Sequence, residues 1–165
     1  MIRPMTQLDI PRVAEIHVFA QRDVYRGTVP DSFLFGKMSV AARMKYFADS
    51  KYEGFVYDDG FVKAFHTMGP CEDDDKNQDA DKIRSFELYR IFVDRFFAGE
   101  GIGGLLASHC EDIAKSRNYD EVCLWALECN TGAQAFYRKI GYVPDGAQRM
   151  SGYFDVPEVR FVKTI

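Results

Sequence analysis

No stretch of this chain stays apolar for anything like the ~20 residues that a bilayer-spanning helix needs. The opening MIRPMTQLDIPRV also lacks the apolar core of a secretory leader. Both absences predict a cytoplasmic protein with no membrane partner. A positive surplus is missing too: 21 Lys and Arg face 25 Asp and Glu, a net charge of −4. That argues against a broad nucleic-acid-binding face and predicts no nucleic-acid partner. Cysteine is sparse. The four, at 71, 110, 123 and 129, form no C-x-x-C pair, and no His/Cys cluster has zinc-ligand spacing. The expectation is four reduced thiols and no metal. With no internal repeat and no linker, residues 1–165 are expected to form one domain.

What is present is an ordinary globular composition, 47% hydrophobic and 28% charged. Met1–Pro4 reads as a short strand, and Asp9-Ile-Pro11 as a helix start, with Asp as N-cap and Pro in the first turn. Val13, Ile16, His17 and Ala20 then recur at helical spacing. Ser39 caps a second helix, VAARMKYFADS, with Val40, Met44 and Phe47 on one stripe. GFVYDDGFVKAFHTM predicts a hairpin turning at Asp58-Asp59-Gly60, and 70–82 an acidic loop. SFELYRIFV (Ser85–Val93) is rich in β-favouring residues. A helix is predicted from about Ile102 to Arg117. EVCLWAL (121–127) reads as a strand buried on both faces, and Thr131–Ile140 as a helix ended by Gly141. Residues 142–150 and 158–164 are weaker strands. The order β-α-α-β-β-β-α-β-α-β-β argues for an α+β fold with a mixed sheet.

The segment FAGEGIGGLL (97–106) satisfies G-x-G-x-x-G through Gly99, Gly101 and Gly104. A dinucleotide site would put the first glycine directly at the strand end, yet Asp94–Ala98 intervenes. It would also want an acid about 20 residues on, where Leu124 stands inside an apolar strand. What survives is a strand, a connection, glycines and a helix N-terminus. Backbone N–H groups unblocked by side chains form an anion cradle there, backed by the helix dipole.

These segments resemble the GCN5-related N-acetyltransferase (GNAT) superfamily. The likeness runs from ELYRIFVD (87–94) through GEGIGGLL (99–106) to NTGAQAFYRKIGY (130–142). The family's loop is written Q/R-x-x-G-x-G/A. Gly101 and Gly103 fit it, but Ala98 replaces the first polar residue, and Arg95 is a candidate substitute. The block N-x-x-A-x-x-F/Y-Y-x-x-x-G-F/Y is met by Asn130, Ala133, Phe136, Tyr137, Gly141 and Tyr142. The resemblance implies a mixed, mostly antiparallel central sheet splayed into a V and flanked by helices, with acetyl-CoA as co-substrate. Backbone groups of Ile91, Phe92 and Val93 would bond the pantetheine. The loop Ala98, Gly99, Glu100, Gly101, Ile102, Gly103 and Gly104 would hold the pyrophosphate, Glu100 pointing away. Asn130, Ala133, Tyr137 and Lys139 would complete the cofactor contacts.

It further implies direct acetyl transfer to a primary amine in a ternary complex. Tyr137 occupies the position of the family's general acid, facing the leaving thiolate. Glu87 stands where a glutamate base serves in the histone-acetylating branch, on a strand face shared with Tyr89, Ile91 and Val93 by alternation. His17, His66 and His109 are rival bases, His109 reading as structural. His17 and the loop 25–35 fall where acceptor pockets lie in the family. The acidic loop 72–81, and a loose likeness at ELYRIFV to members acting on polyamines, favour a small or polyamine-like acceptor. The alternative is a non-catalytic acyl-CoA-binding sensor or interaction module. A homodimer is left open.

Overall fold

A computed structural model describes residues 1–73, 83–152 and 154–165. In chain order the elements are β1 (Ile2–Pro4), α1 (Ile10–Tyr25), α2 (Val40–Ala48), β2 (Glu53–Asp58), β3 (Val62–Pro70), β4 (Ser85–Val93), α3 (Ile102–Ser116), β5 (Glu121–Leu127), α4 (Thr131–Lys139), β6 (Val143–Met150) and β7 (Pro157–Thr164). Short 3₁₀ turns at Gln7–Asp9 and Arg95–Phe97 and a π-helical turn at Ser32–Lys37 link them. The seven strands form one sheet in the order β1-β2-β3-β4-β5-β7-β6. β4 and β5 run parallel, whereas β1–β2, β5–β7 and β6–β7 are antiparallel. The α+β class and the order of helices and strands are those expected from the sequence. No helix among the described residues is long and apolar enough to cross a membrane.

The chain divides into two compact units. The first comprises Met1–Thr67 and Arg90–Ala107, the second Met68–Tyr89 and Ser108–Ile165.

In the first unit, α1 and α2 cover one face of the sheet. Ile10, Val13, Ala14, Ile16 and Phe47 bury against Val56, Val62 and Phe65, with Tyr46 and Phe92 packed on the cluster. On the opposite face Ala64, Ile102 and Leu106 close a second cluster with Ile91, Val93 and Phe97. The end of β4 therefore alternates cleanly, Phe92 to the α1–α2 side and Ile91 and Val93 to the α3 side, as a pleated strand must. The start of α1 differs from the sequence expectation in detail. Asp9 is its N-cap, but the carboxylate makes no cap hydrogen bond to that helix. Instead it accepts from Thr6 and from Arg3, which also reaches Asp58 at 2.7 Å. That pairing holds Asp9 well below the usual carboxylate range.

In the second unit β5 is the buried strand, and β7 pairs along its full length. α4 ends in a left-handed cap. Gly141 has φ 95°, Tyr142 N–H donates to the Tyr137 carbonyl at 3.0 Å, and Gly141 N–H to that of Arg138 at 3.1 Å. This double bond pattern is the Schellman motif. It explains the spacing Y-x-x-x-G-Y: the glycine turns the chain so that Tyr142, fully buried, returns to pack on the Tyr137 ring at 6.1 Å.

Candidate active site

In the first unit the glycine segment is built from its upstream anchor. Asp94, the residue after β4, donates its own N–H to the Lys63 carbonyl at 2.8 Å and accepts from Phe96 N–H at 3.0 Å. Arg12 of α1 pairs with the same carboxylate while its Nε holds the Val62 carbonyl at 3.1 Å. The connection Asp94–Ala98 is thus tied to α1 and β3 before the glycines begin. Arg95, the candidate substitute for the polar residue missing at Ala98, leans instead toward Asp23 at 3.3 Å.

Gly99 and Gly101 have φ of 87° and 82°, values that L side chains rarely adopt. A Cβ at Gly99, Gly101 or Gly104 would meet nothing within 4 Å. Glycine is therefore required here by backbone shape and not by close packing, and space stands open over the turn. The first bond closing α3 in this region runs from Leu105 N–H to the Gly101 carbonyl, 3.2 Å. The amides at the helix start have no intrahelical acceptor, and they carry the positive end of the helix dipole. Loop, open space and orphan donors fit a phosphate group, the test that a pyrophosphate-bearing cofactor has to pass.

The second unit holds the titratable side chains. Glu87 is 4% exposed. Burial, with Asp73 adding to it, pushes its carboxyl up to about 7, opposed by the Arg149 charge and a thiol hydrogen bond from Cys71. Cys71, Glu87 and Cys123 are all buried, with their ligating atoms within 4.8 Å of one another. A hydrogen bond with Cys71, together with burial, also pushes the Cys123 thiol upward. Sequence spacing could not find this trio: Glu87 and Cys123 are joined by the parallel β4–β5 register, and Cys71 arrives when its N–H bonds the Ser85 carbonyl at 3.1 Å.

Asp73 is bound by the Trp125 indole N–H at 3.0 Å and by Arg149 and Arg160 at 3.3 and 3.0 Å. One carboxylate of the acidic segment is thereby neutralised within the fold. Residues 74–82 of that segment lie outside the described residues.

On α4, Tyr137 is 8% exposed, its ring against Phe161 and Tyr142. The Asn130 side-chain oxygen Oδ1 caps α4 by accepting from Ala133 N–H at 3.0 Å. This is a helix-starting duty that the motif alone does not reveal. Lys139 is exposed in the last turn.

Residues 39–142, well over half of the chain, match the Acetyltransferase (GNAT) family. The chain belongs to this family. It is 41% identical over 56 residues to an uncharacterized N-acetyltransferase of Methanocaldococcus jannaschii, a match covering 34% of this chain and 25% of that protein. The PaiA N-acetyltransferase of Thermoplasma acidophilum, solved in complex with coenzyme A, superposes with a TM-score of 0.71 at 17% identity, covering 100% of this chain and 98% of that one. A GCN5-related N-acetyltransferase from Rhodopseudomonas palustris gives 0.75 at 18% identity, covering 100% and 95%. YncA of Salmonella typhimurium, solved with acetyl-CoA, gives 0.68 at 14%, covering 99% and 92%. The GNAT fold is common to all three.

The histidines sort by unit. His17 is 2% exposed among the rings of Phe47, Phe65 and Phe92, at 5.4, 6.0 and 4.7 Å, and its Nδ1 has no hydrogen-bond partner among the described residues. Burial, with Arg43 and Arg90, lowers its pKa well below the ordinary value. His66 is fully buried against Phe55 at 5.4 Å. His109 is half-buried on α3.

Proposed function

We propose that this GNAT protein, acting as one domain of residues 1–165 in the cytoplasm, is an acetyl-CoA-dependent N-acetyltransferase whose acceptor is a small primary amine. The observation that carries the reading is the Gly99–Gly104 segment, where two positive-φ glycines open α3 beneath free space. Family membership adds the acetyl donor, a thioester. Amides of Gly99 to Gly104 hold the pyrophosphate, and backbone groups of Ile91, Phe92 and Val93 bond the pantetheine arm as a further strand would. Asn130, Ala133 and Lys139 contribute from the start and end of α4, with Ala98 and Glu100 contributing backbone only.

Glu87 is the general base. A carboxyl titrating at about 7 is charged for a good part of the time at neutral pH, yet basic enough to take a proton from an ammonium group. The neutral amine then attacks the thioester carbonyl carbon, an N–H of the 91–93 segment stabilises the oxygen, and the carbon–sulfur bond breaks. The Tyr137 hydroxyl supplies the proton to the leaving thiolate and regains one from the former amine nitrogen, which loses its extra proton as the amide forms.

The buried packing of Tyr137 on Phe161 and Tyr142 equally suits a structural ring, and this favours the second reading, an acyl-CoA sensor without turnover. One experiment separates them: the melting temperature with acetyl-CoA, followed by thiol release against an amine panel. We expect stabilisation by acetyl-CoA and thiol release only with an amine. Stabilisation without turnover supports the sensor, and no stabilisation removes both readings.

A further inference from the structure

Cys71, Glu87 and Cys123 offer a second chemistry besides proton transfer. All three are buried in the second unit, with their two sulfurs and a carboxylate oxygen within 4.8 Å of one another. Two thiols and a carboxyl gathered this closely are a donor set for a borderline-soft dication such as zinc. Among the described residues, Cys110 and Cys129 join no such group.

The backbone holds the three ligands in place. β4 lies between β3 and β5 in the sheet. Parallel pairing sets Glu87 beside Cys123, so both side chains leave the same face of neighbouring strands. Cys71, the residue after β3, is fixed from the other side by its N–H bond to the Ser85 carbonyl at 3.1 Å. The side chains already touch in a chain: Cys123 donates its S–H to Cys71, and Cys71 donates its own to Glu87. Zinc bonds of about 2.0–2.3 Å at tetrahedral angles set ligand atoms ~3.5–3.8 Å apart, close to the spacing of such sulfur hydrogen bonds.

A dication would replace the hydrogens of that chain. The two thiol protons, and any on the carboxyl, leave to water while two sulfur bonds and one oxygen bond to the metal form. Two thiolates and a carboxylate exceed the dication by one negative charge, and the Arg149 charge that reaches Glu87 opposes the excess. Three protein ligands leave the fourth tetrahedral position to a water molecule.

We propose that Cys71, Glu87 and Cys123 form an inhibitory site for a zinc-type dication, which silences acetyl transfer by occupying the carboxylate of Glu87. Binding stands on the three side chains alone. The inhibition rests on the N-acetyltransferase reading, in which Glu87 must be free to take the amine's proton.

The test uses the full chain carrying Cys129→Ser, which removes the exposed thiol, with cobalt(II) as a spectroscopic substitute for zinc. We expect one cobalt per chain, with a thiolate-to-metal band in the near ultraviolet and the strong visible bands of a four-coordinate ion, both displaced by zinc. Cys123→Ser should lower the thiolate band by about half and weaken cobalt binding ~100-fold, while Glu87→Gln, similar in size, should keep the band and weaken binding ~10-fold. Zinc bound without a thiolate band overturns the proposal. So does a band that Cys123→Ser leaves intact, or an affinity that Glu87→Gln leaves unchanged. Should Cys123→Ser fail to fold, the band of the Cys129→Ser chain and the Glu87→Gln affinity decide. Formation of acetylated amine, followed by mass spectrometry, should stop as zinc fills the site and resume with a chelator. If Glu87→Gln loses metal affinity yet the zinc-loaded Cys129→Ser chain transfers at full rate, the inhibitory role is overturned together with Glu87 as base, and cation binding stands. If the metal-free chain acetylates no amine, the N-acetyltransferase reading falls, and the cobalt spectrum still decides the site.

Discussion

At the scale of single residues, burial decides what Glu87 can do. Its carboxyl, taken from an ordinary 4.5 up to about 7 chiefly by desolvation, carries opposite consequences for catalysis and for stability. For the proposed general-base role the ionised form is the active one, so under that proposal kcat/KM should climb with pH through about 7 and then level off. Glu87→Gln should lower it by ~100-fold or more near neutrality and remove that limb. A variant whose profile runs parallel to the wild type would take Glu87 out of the mechanism. For stability, the unfolded chain releases this proton near 4.5 and the folded chain only near 7. Folding is therefore disfavoured progressively across that window, by about 3 kcal/mol once above it. Glu87→Gln should accordingly gain melting temperature relative to wild type as pH rises from 5 to 8. Tyr137 makes a contrasting case, because removing one oxygen leaves the ring contacts with Phe161 and Tyr142 in place. Tyr137→Phe should keep acetyl-CoA affinity and melting temperature while turnover falls ~10- to 100-fold, the usual range for losing a general acid. Unchanged turnover would make Tyr137 a core residue only. Glu87 and Tyr137 were legible in the sequence as positions within a motif. The thiols of Cys71 and Cys123 beside Glu87 were not, since parallel pairing across more than thirty intervening residues brings Cys123 there and a backbone bond to Ser85 brings Cys71.

At the scale of elements, local signals carried most of the fold. Period-two and period-3.6 patterning, with Gly, Pro and Asp as punctuation, placed β4 and β5 at their observed bounds and α3 and α4 to within one residue at either end. Those signals act between chain neighbours, which is why one sequence contains them. Duties taken by single polar groups were harder to foresee. Asn130 caps α4; Asp9 turns from its helix to Arg3 and Thr6; Asp94 organises the connection to the glycines. None of these follows from periodicity, because each depends on which partner a distant element offers. Asp94 yields a prediction at this scale. Its carboxylate caps the 3₁₀ turn Arg95–Phe97 and holds Arg12, so it positions the glycine segment without touching a ligand. Asp94→Ala removes a cap worth about 1 kcal/mol. It should weaken acetyl-CoA binding roughly 5- to 10-fold, with Asp94→Asn, which keeps an acceptor oxygen for Phe96 N–H, recovering part. An unchanged dissociation constant by calorimetry for Asp94→Ala would show that the glycine turn stands without this anchor.

At the scale of the whole molecule, charge is distributed against its own average. A net charge of −4 gives no hint of the arginine pair on Tyr46, nor of the acid spent on Arg149 and Arg160. Composition averages over surfaces that the fold keeps apart, so an acidic loop in the sequence said little about which charge a site presents. The glycines, by contrast, act through backbone shape, and shape is encoded where the residue stands. That makes ligand linkage the cleanest global measurement. A ligand that binds only the folded chain stabilises it by RT ln(1 + [L]/Kd), about 2.7 kcal/mol at one hundred times Kd. For a chain of 165 residues this should raise the melting temperature by about 5–10 °C. Gly101→Val meets no steric neighbour within 4 Å, but φ 82° is a conformation that a β-branched residue resists. The turn must rotate its amides away from the phosphate or carry the strain. We expect the variant to lose most of the acetyl-CoA shift while its ligand-free melting temperature drops by only a few degrees, since the loop is exposed and packs on little. A variant that keeps the full shift would mean that acetyl-CoA is held elsewhere, and the cradle at Gly99–Gly104 would lose its function.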